Sequence, residues 1–160
     1  MNEGLVAQLG DALRARGWRM ATAESCTGGL LAAACTSVGG SSDWFERGVV
    51  SYSDAAKTEL LGVPAALIER HGAVSREVAL SMAEGALQRS RVALALAVTG
   101  IAGPGGATPG KPVGTVWLGV AVQGLPPRAE LLQLGGDRAA VRGQTVRRAL
   151  QRLIEAATRA

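Results

Sequence analysis

Ser25, Tyr52 and Lys57 are the residues of this 160-residue chain whose types and spacing suggest chemistry. Ser25 lies in Arg-Met-Ala-Thr-Ala-Glu-Ser-Cys-Thr-Gly-Gly-Leu-Leu, residues 19–31, which reads as a strand, a tight turn and the start of a helix. A hydroxyl at such a reversal faces the unpaired N–H groups of the helix N-terminus, which can hold an anion or a developing oxyanion. Ser25 is therefore a nucleophile candidate, although Ser25 or Thr27 can equally serve as a helix cap. Tyr52 ends a predicted strand and Lys57 opens a predicted helix, so both can reach the sheet edge that carries Ser25 and Thr99. An amine partly withdrawn from water can stay neutral and take a serine proton. Taken alone, Lys57 also reads as an ordinary surface lysine.

Other chemistries fit less well. His71 is the only histidine, so a Ser-His-Asp triad would have to use it. Its place before Gly72 suits the capping of a helix end instead. Cys26 is a rival nucleophile that has no histidine partner but sits where a helix N-terminus could lower its pKa. Gly105 to Lys111 satisfies Gly-x-x-x-x-Gly-Lys, yet Pro112 occupies the place of the magnesium-binding Ser or Thr, and a strand follows where a P-loop needs a helix. Tyr52 and Lys57 are five apart rather than four, and no Gly-x-Gly-x-x-Gly follows the first strand, which argues against a dinucleotide dehydrogenase. The glycine loop Thr99–Pro112 leaves the end of the central strand, where open α/β sheets gather ligands. It reads either as a ligand loop or as a flexible connection.

Composition bounds these readings. With 48% hydrophobic residues the chain can bury one core, which predicts one domain over residues 1–160. No apolar run approaches the roughly 20 residues of a membrane span, and the first residues lack a basic region followed by an apolar one. The expectation is a soluble, cytoplasmic protein without membrane contact. Two cysteines, Cys26 and Cys35, have neither Cys-x-x-Cys spacing nor a His cluster beside them, so neither zinc nor a disulfide framework is suggested. The net charge of +4 resides mainly in arginines of the last predicted helix. With one Phe and one Tyr in the chain, no aromatic platform accompanies them, and nucleic acid is not the expected partner.

The elements that must position these residues follow from periodicity. Helices are predicted over residues 3–16, 27–36, from 54, over 64–70, after the cap Ser75 to 89, and over 137–158. Strands are predicted over residues 18–22, 48–52, 92–98, 113–122 and 129–134. The segment 92–98 is apolar on both faces, as the middle of a sheet requires. The turn Gly124-Leu125-Pro126-Pro127 makes the late strands a hairpin. The order α-β-α-β-α-α-α-β-β-β-α predicts an α/β fold, a three-layer helix-sheet-helix sandwich with a mixed sheet.

Ala23-Glu24-Ser25-Cys26-Thr27-Gly28-Gly29, Gly40-Ser41-Ser42 with Trp44-Phe45 and Gly48, Tyr52-Ser53 with Lys57, and His71-Gly72-Ala73-Val74-Ser75 occur in order. Gly100-Ile101-Ala102-Gly103-Pro104, Lys111-Pro112-Val113-Gly114-Thr115-Val116 and Gly136-Asp137-Arg138 follow. This series, over nearly the whole chain, resembles the CinA C-terminal domain family, whose stand-alone members are nicotinamide-nucleotide amidohydrolases. The resemblance implies hydrolysis of the carboxamide of nicotinamide mononucleotide to nicotinate mononucleotide and ammonia, in pyridine nucleotide salvage, without metal or cofactor. It implies Ser25 as nucleophile, Lys57 as base and Tyr52 in proton relay or positioning. Thr27, Gly28, Gly29, Ser42, Thr99, Gly100 and Gly103 are then implied around the substrate, with Arg138 or Arg142 on its phosphate. Amides from Cys26 to Gly28, with Gly100, are candidate oxyanion donors. Thr99 stands where some relatives have Ser. A homodimer is implied, and Trp44-Phe45, read as an exposed apolar pair, is its candidate interface. The competing expectation is a non-enzymatic partner-binding module, linked to competence or DNA damage, that uses the arginine-rich last helix.

Overall fold

A computed structural model describes residues 2–159 and contains one five-stranded sheet in the order β2-β1-β3-β4-β5. The strands are β1 (Met20–Glu24), β2 (Phe45–Val50), β3 (Leu94–Gly100), β4 (Thr115–Val122) and β5 (Arg128–Gln133). β1 pairs in parallel with β2 and β3, whereas β3–β4 and β4–β5 are antiparallel. The helices are α1 (Glu3–Arg16), α2 (Leu30–Cys35), α3 (Asp54–Leu61), α4 (Ala65–His71), α5 (Arg76–Ser90) and α6 (Arg138–Arg159), with a 3-10 turn at Ser41–Asp43. This is the mixed helix-sheet-helix sandwich that the element order predicts, with β3 in the middle.

Alternation along β3 sets the two layers. Leu94, Leu96 and Val98 pack with Leu9, Leu13, Leu150 and Leu153 of α1 and α6. Ala95 and Ala97 face Val78, Met82 and Ala86 of α5. Small residues on that face let α5 lie close to the sheet: a Cβ on Gly119 of β4 would stand 2.3 Å from the carbonyl oxygen of Ala79. Ser53 and Ser75 cap α3 and α5 through their side-chain oxygens, accepting from the N–H groups of Ala56 and Val78.

Two expectations are corrected here. α2 begins at Leu30 rather than at residue 27, because Cys26 to Gly29 form a turn in which Gly28 and Gly29 adopt positive φ. Trp44 is 1% exposed rather than presented to a partner. Its indole lies under α1, so near that a Cβ on Gly10 would stand 2.9 Å from its Nε1, and Phe45 meets it edge-on with ring centroids 6.3 Å apart. That pair is part of the core and its margin, and offers no free apolar face.

Candidate active site

β1 ends at Glu24, and the parallel ladder carries on for one residue: the N–H of Ser25 donates to the carbonyl of Val98 at 3.0 Å. Ser25 is thereby fixed at the C-terminal edge of the sheet, between the ends of β2 and β3, with its residue 8% exposed. From β2 the chain runs through Ser51 and Tyr52 to the Ser53 cap and into α3, which places Lys57 one turn along that helix, facing inward. Lys57 is 1% exposed. Its Nζ donates to Ser25 Oγ at 3.1 Å, to the carbonyl of Ser51 at 3.1 Å and to the carbonyl of Tyr52 at 2.9 Å. Ser25 Oγ in turn can donate to the Tyr52 carbonyl at 3.3 Å.

These three acceptors match the three donors of an ammonium, and they also suit the neutral amine. The carbonyls of Ser51 and Tyr52 can only accept, so they fix two N–H bonds. The third direction, toward Ser25 Oγ, is the one in which a neutral amine holds its lone pair. Burial pushes the Lys57 pKa below its ordinary value, with the nearby Asp54 acting in the opposite sense. Among the described residues no carboxylate lies within ion-pair distance of Lys57.

Ser25 and Lys57 open onto a cleft of about 250 Å³ whose walls include Thr99, Gly100, Gly103 and Arg138. Thr99 donates its hydroxyl to the carbonyl of Ala73 at 2.8 Å, tying β3 to the opposite wall. Arg138 spans the mouth. It donates to the carbonyl of Gly103 at 2.8 Å and to the Tyr52 hydroxyl at 3.4 Å. Tyr52 is 60% exposed, so its backbone belongs to the Ser25–Lys57 pair while its ring stands at the rim.

The remaining sequence candidates fall elsewhere. Thr27 is fully buried and donates to Glu24 Oε1 at 2.6 Å, so its hydroxyl is not available to a ligand. Gly28 and Gly29 do not line the cleft. Ser42 is exposed at the opposite end of β1 and β2, where its carbonyl accepts from Arg19 at 3.0 Å. Arg142 lies behind the turn, donating to the carbonyls of Cys26 and Thr27 at 3.1 and 3.3 Å. The lone histidine does not line the cleft, and its Nδ1 lies 3.6 Å from Glu77 Oε1. Cys26 touches the cleft but is 5% exposed, and burial pushes its thiol up to about 11, contrary to the lowering expected at a helix start.

Glu24 is the residue beside the site that sequence reasoning did not single out, and it ties the turn after Ser25 to α2. Its fully buried carboxylate accepts from Thr27 Oγ1 and from the N–H groups of Leu31 and Ala32 at 2.9 and 3.0 Å. The N-terminus of α2 is therefore satisfied by Glu24 and is not presented to a ligand. The donors that face the cleft lie elsewhere. Among the described residues, the N–H groups of Cys26, Ala102, Gly103, Gly105 and Gly106, all residues of the cleft wall, donate to no carbonyl or side chain of another residue. The signal for Glu24 was an acidic residue at the end of the strand, six positions before the helix that follows.

Fold and site together are those of an α/β sandwich with a serine hydroxyl and a buried amine paired at the edge of a mixed sheet. The chain belongs to the CinA C-terminal domain family, whose model matches residues 2–157. It is 50% identical over 147 residues to the nicotinamide-nucleotide amidohydrolase PncC of Enterobacter agglomerans, covering 92% of this chain and 90% of that protein. It is 54% identical over 138 residues to a CinA-like protein of Akkermansia muciniphila, of which it covers 33%. The chain thus spans about a third of that longer relative and nearly all of the shorter one. A crystal structure of a CinA superfamily protein from Klebsiella pneumoniae superposes with a TM-score of 0.95 at 38% identity, covering 100% of this chain and 99% of the other.

Proposed function

We propose that this chain hydrolyses the carboxamide of nicotinamide mononucleotide, giving nicotinate mononucleotide and ammonia in pyridine nucleotide salvage. The observation that carries the reading is the 3.1 Å contact between a buried Lys57 Nζ and Ser25 Oγ. Relatives named as nicotinamide-nucleotide amidohydrolases, matched along most of both chains, support the substrate class.

In this mechanism Ser25 Oγ bonds to the carboxamide carbon while its proton passes to neutral Lys57 Nζ. The carbonyl oxygen becomes an oxyanion, held by the N–H of Cys26 at the wall of the cleft. The C–N bond then breaks as Lys57 returns the proton to the leaving nitrogen, which departs as ammonia. A nicotinoyl ester remains on Ser25. Water attacks that ester, Lys57 accepts a proton from it, and Ser25 recovers its hydrogen as nicotinate mononucleotide leaves. Each proton transfer in this sequence runs through Lys57, so we propose that no metal takes part. Thr99, Gly100 and Gly103 shape the wall beside the carboxamide, and Tyr52 positions Arg138 rather than relaying a proton.

Arg138 is proposed to bind the 5′-phosphate. A charge-assisted hydrogen bond is worth about 1.5–3 kcal/mol, so Arg138→Ala should raise KM for nicotinamide mononucleotide roughly 10- to 150-fold. Hydrolysis of free nicotinamide should change little. Equal losses on both substrates would remove Arg138 from the phosphate.

The partner-binding alternative relied on free arginines along α6. Three of them are engaged within the chain: Arg138 on Gly103, Arg142 on the Cys26–Thr27 turn, and Arg152 on Glu130 and Glu155. The deciding assay is incubation of chelator-treated protein with nicotinamide mononucleotide, with ammonia and nicotinate mononucleotide both quantified. The amidase reading expects both in equal amounts; folded protein that releases neither overturns it.

A further inference from the structure

Asp54, the first residue of α3, is exposed in the wall of the cleft that holds Ser25 and Lys57, and among the described residues it is the one carboxylate in that wall. It lies three positions before Lys57, so the two side chains share one side of α3, a turn apart. Among the described residues its carboxylate has no hydrogen-bond or ion-pair partner; only its backbone carbonyl accepts, from Thr58. The hollow that Asp54 borders on its other side, between α3 and α4, offers Thr58 and a second carboxylate, Glu69, but no cation. An acidic residue in the first turn of a helix has an ordinary use against the helix dipole. That use asks nothing of the cleft, and Ser53 already caps α3.

We infer that Asp54 is a specificity-determining residue whose carboxylate faces the positively charged pyridinium ring of the bound nucleotide, so that the cleft takes cationic carboxamides in preference to neutral ones. The inference rests on the amidase reading. The substrate of that reaction carries two opposite charges, a cationic ring that bears the carboxamide and a phosphate at the far end of the ribose. The cleft carries the complementary charges in the same order: Asp54 lies a turn from the lysine that serves the carboxamide, and Arg138 stands at the mouth, on the carbonyl of Gly103 and the Tyr52 hydroxyl. The field of Asp54 also reaches the base. Burial lowers the Lys57 pKa and Asp54 opposes it. A pyridinium against Asp54 offsets that opposition, so the contact that binds the ring also favours the neutral amine that the reaction needs. Cys26, the other titratable group acting on Lys57, stays a thiol at neutral pH because burial pushes it up to about 11, and Arg138 is the remaining charge of the wall.

The test reads affinity against ring charge. In full-length Ser25→Ala protein, where ligands bind without turnover, calorimetry gives dissociation constants for two nucleotides. One is nicotinamide mononucleotide; the other is an analogue in which a neutral benzamide ring replaces the pyridinium while ribose and phosphate are kept. Asp54 is exposed, so a pair there has the strength of a good surface ion pair. Adding Asp54→Asn should weaken the cationic nucleotide about 3- to 5-fold and the neutral analogue by less than about 1.5-fold. Asp54→Glu, which restores the charge, should recover most of the lost affinity. Equal weakening of both nucleotides, as a purely structural role at the start of α3 would give, or no weakening of either, overturns the inference. Should Asp54→Asn not fold, Asp54→Ser is judged by the same two constants. With Ser25 in place, Asp54→Asn should also move the acid limb of kcat/KM to lower pH, and a limb that stays where it was removes the coupling to Lys57. Nicotinamide mononucleotide that binds Ser25→Ala protein but yields no ammonia with wild-type protein refutes the amidase reading alone, and Asp54 is then judged on the dissociation constants; binding of neither nucleotide refutes both.

Discussion

Lys57→Met is expected to yield a folded protein whose release of ammonia falls by about 10³–10⁴, the upper range of what a positioned general base contributes. Met has nearly the length of Lys without its charge or its basic nitrogen, so it fills the same buried space beside Ser25. Lys57→Arg should be equally inactive. A guanidinium keeps the positive charge but does not deprotonate in proteins, which separates the need for a base from the need for a cation. The pH dependence has a definite sign. Burial lowers the Lys57 pKa in the folded state, so the neutral, competent amine accumulates as pH rises through that lowered value, and kcat/KM should climb along a limb that lies below the ordinary lysine range. Stability moves in the same direction. Between the folded and unfolded pKa values the unfolded chain binds more protons, so wild-type stability should increase with pH across that window; below the folded value the cost of burying the ammonium is fully present. Lys57→Met should lack this increase. Denaturant midpoints across pH, paired with activity profiles, check both halves, and substantial activity in either variant would remove Lys57 from the role of base.

The sandwich was legible because its signals are local and mutually consistent. Leu-Ala-Leu-Ala-Val in β3 displays the two-residue period and the apolar run of a central strand, and Ser53 and Ser75 sit where caps belong. Ser25 and Lys57 were legible for a related reason: a residue just past one strand and a residue one turn into a helix after the neighbouring strand reach the same sheet edge. What failed depended on long-range contact. Trp44 reads as exposed from its loop of Gly and Ser neighbours, and only the gap left by Gly10 in α1 makes room to bury it. Thr27 looks like a ligand hydroxyl until Glu24 is seen to be buried beside it. The different partners of Arg138 and Arg142 are set by which carbonyls lie opposite α6, information held in the register of the whole fold rather than in the helix itself. Ser42 was placed by resemblance alone, and the parallel pairing of β1 with β2 puts it at the wrong end of the sheet.

Ser25→Ala is expected to abolish turnover by about 10⁴-fold or more while leaving circular dichroism and nicotinamide mononucleotide binding intact, because the attacking atom is lost and the cleft is otherwise unchanged. Rescue by the adjacent Cys26 is not expected. Its thiol is almost fully enclosed and pushed up to about 11, so little thiolate exists at neutral pH, and the lysine bonds to Ser25 Oγ rather than to the thiol. The covalent route adds a positive signature. Acid quenching of wild-type protein during turnover should trap a nicotinoyl ester on the peptide that contains Ser25, and Ser25→Ala should show none on Ser25 or Cys26. A trapped thioester on Cys26, or turnover surviving in Ser25→Ala, would transfer the nucleophile to the thiol. In that case Lys57, whose Nζ is aligned on the serine oxygen and on the carbonyls of Ser51 and Tyr52, would have to shift before it could serve as base. The geometry thus makes the two nucleophiles distinguishable by one experiment, since the amine as placed can activate only the hydroxyl.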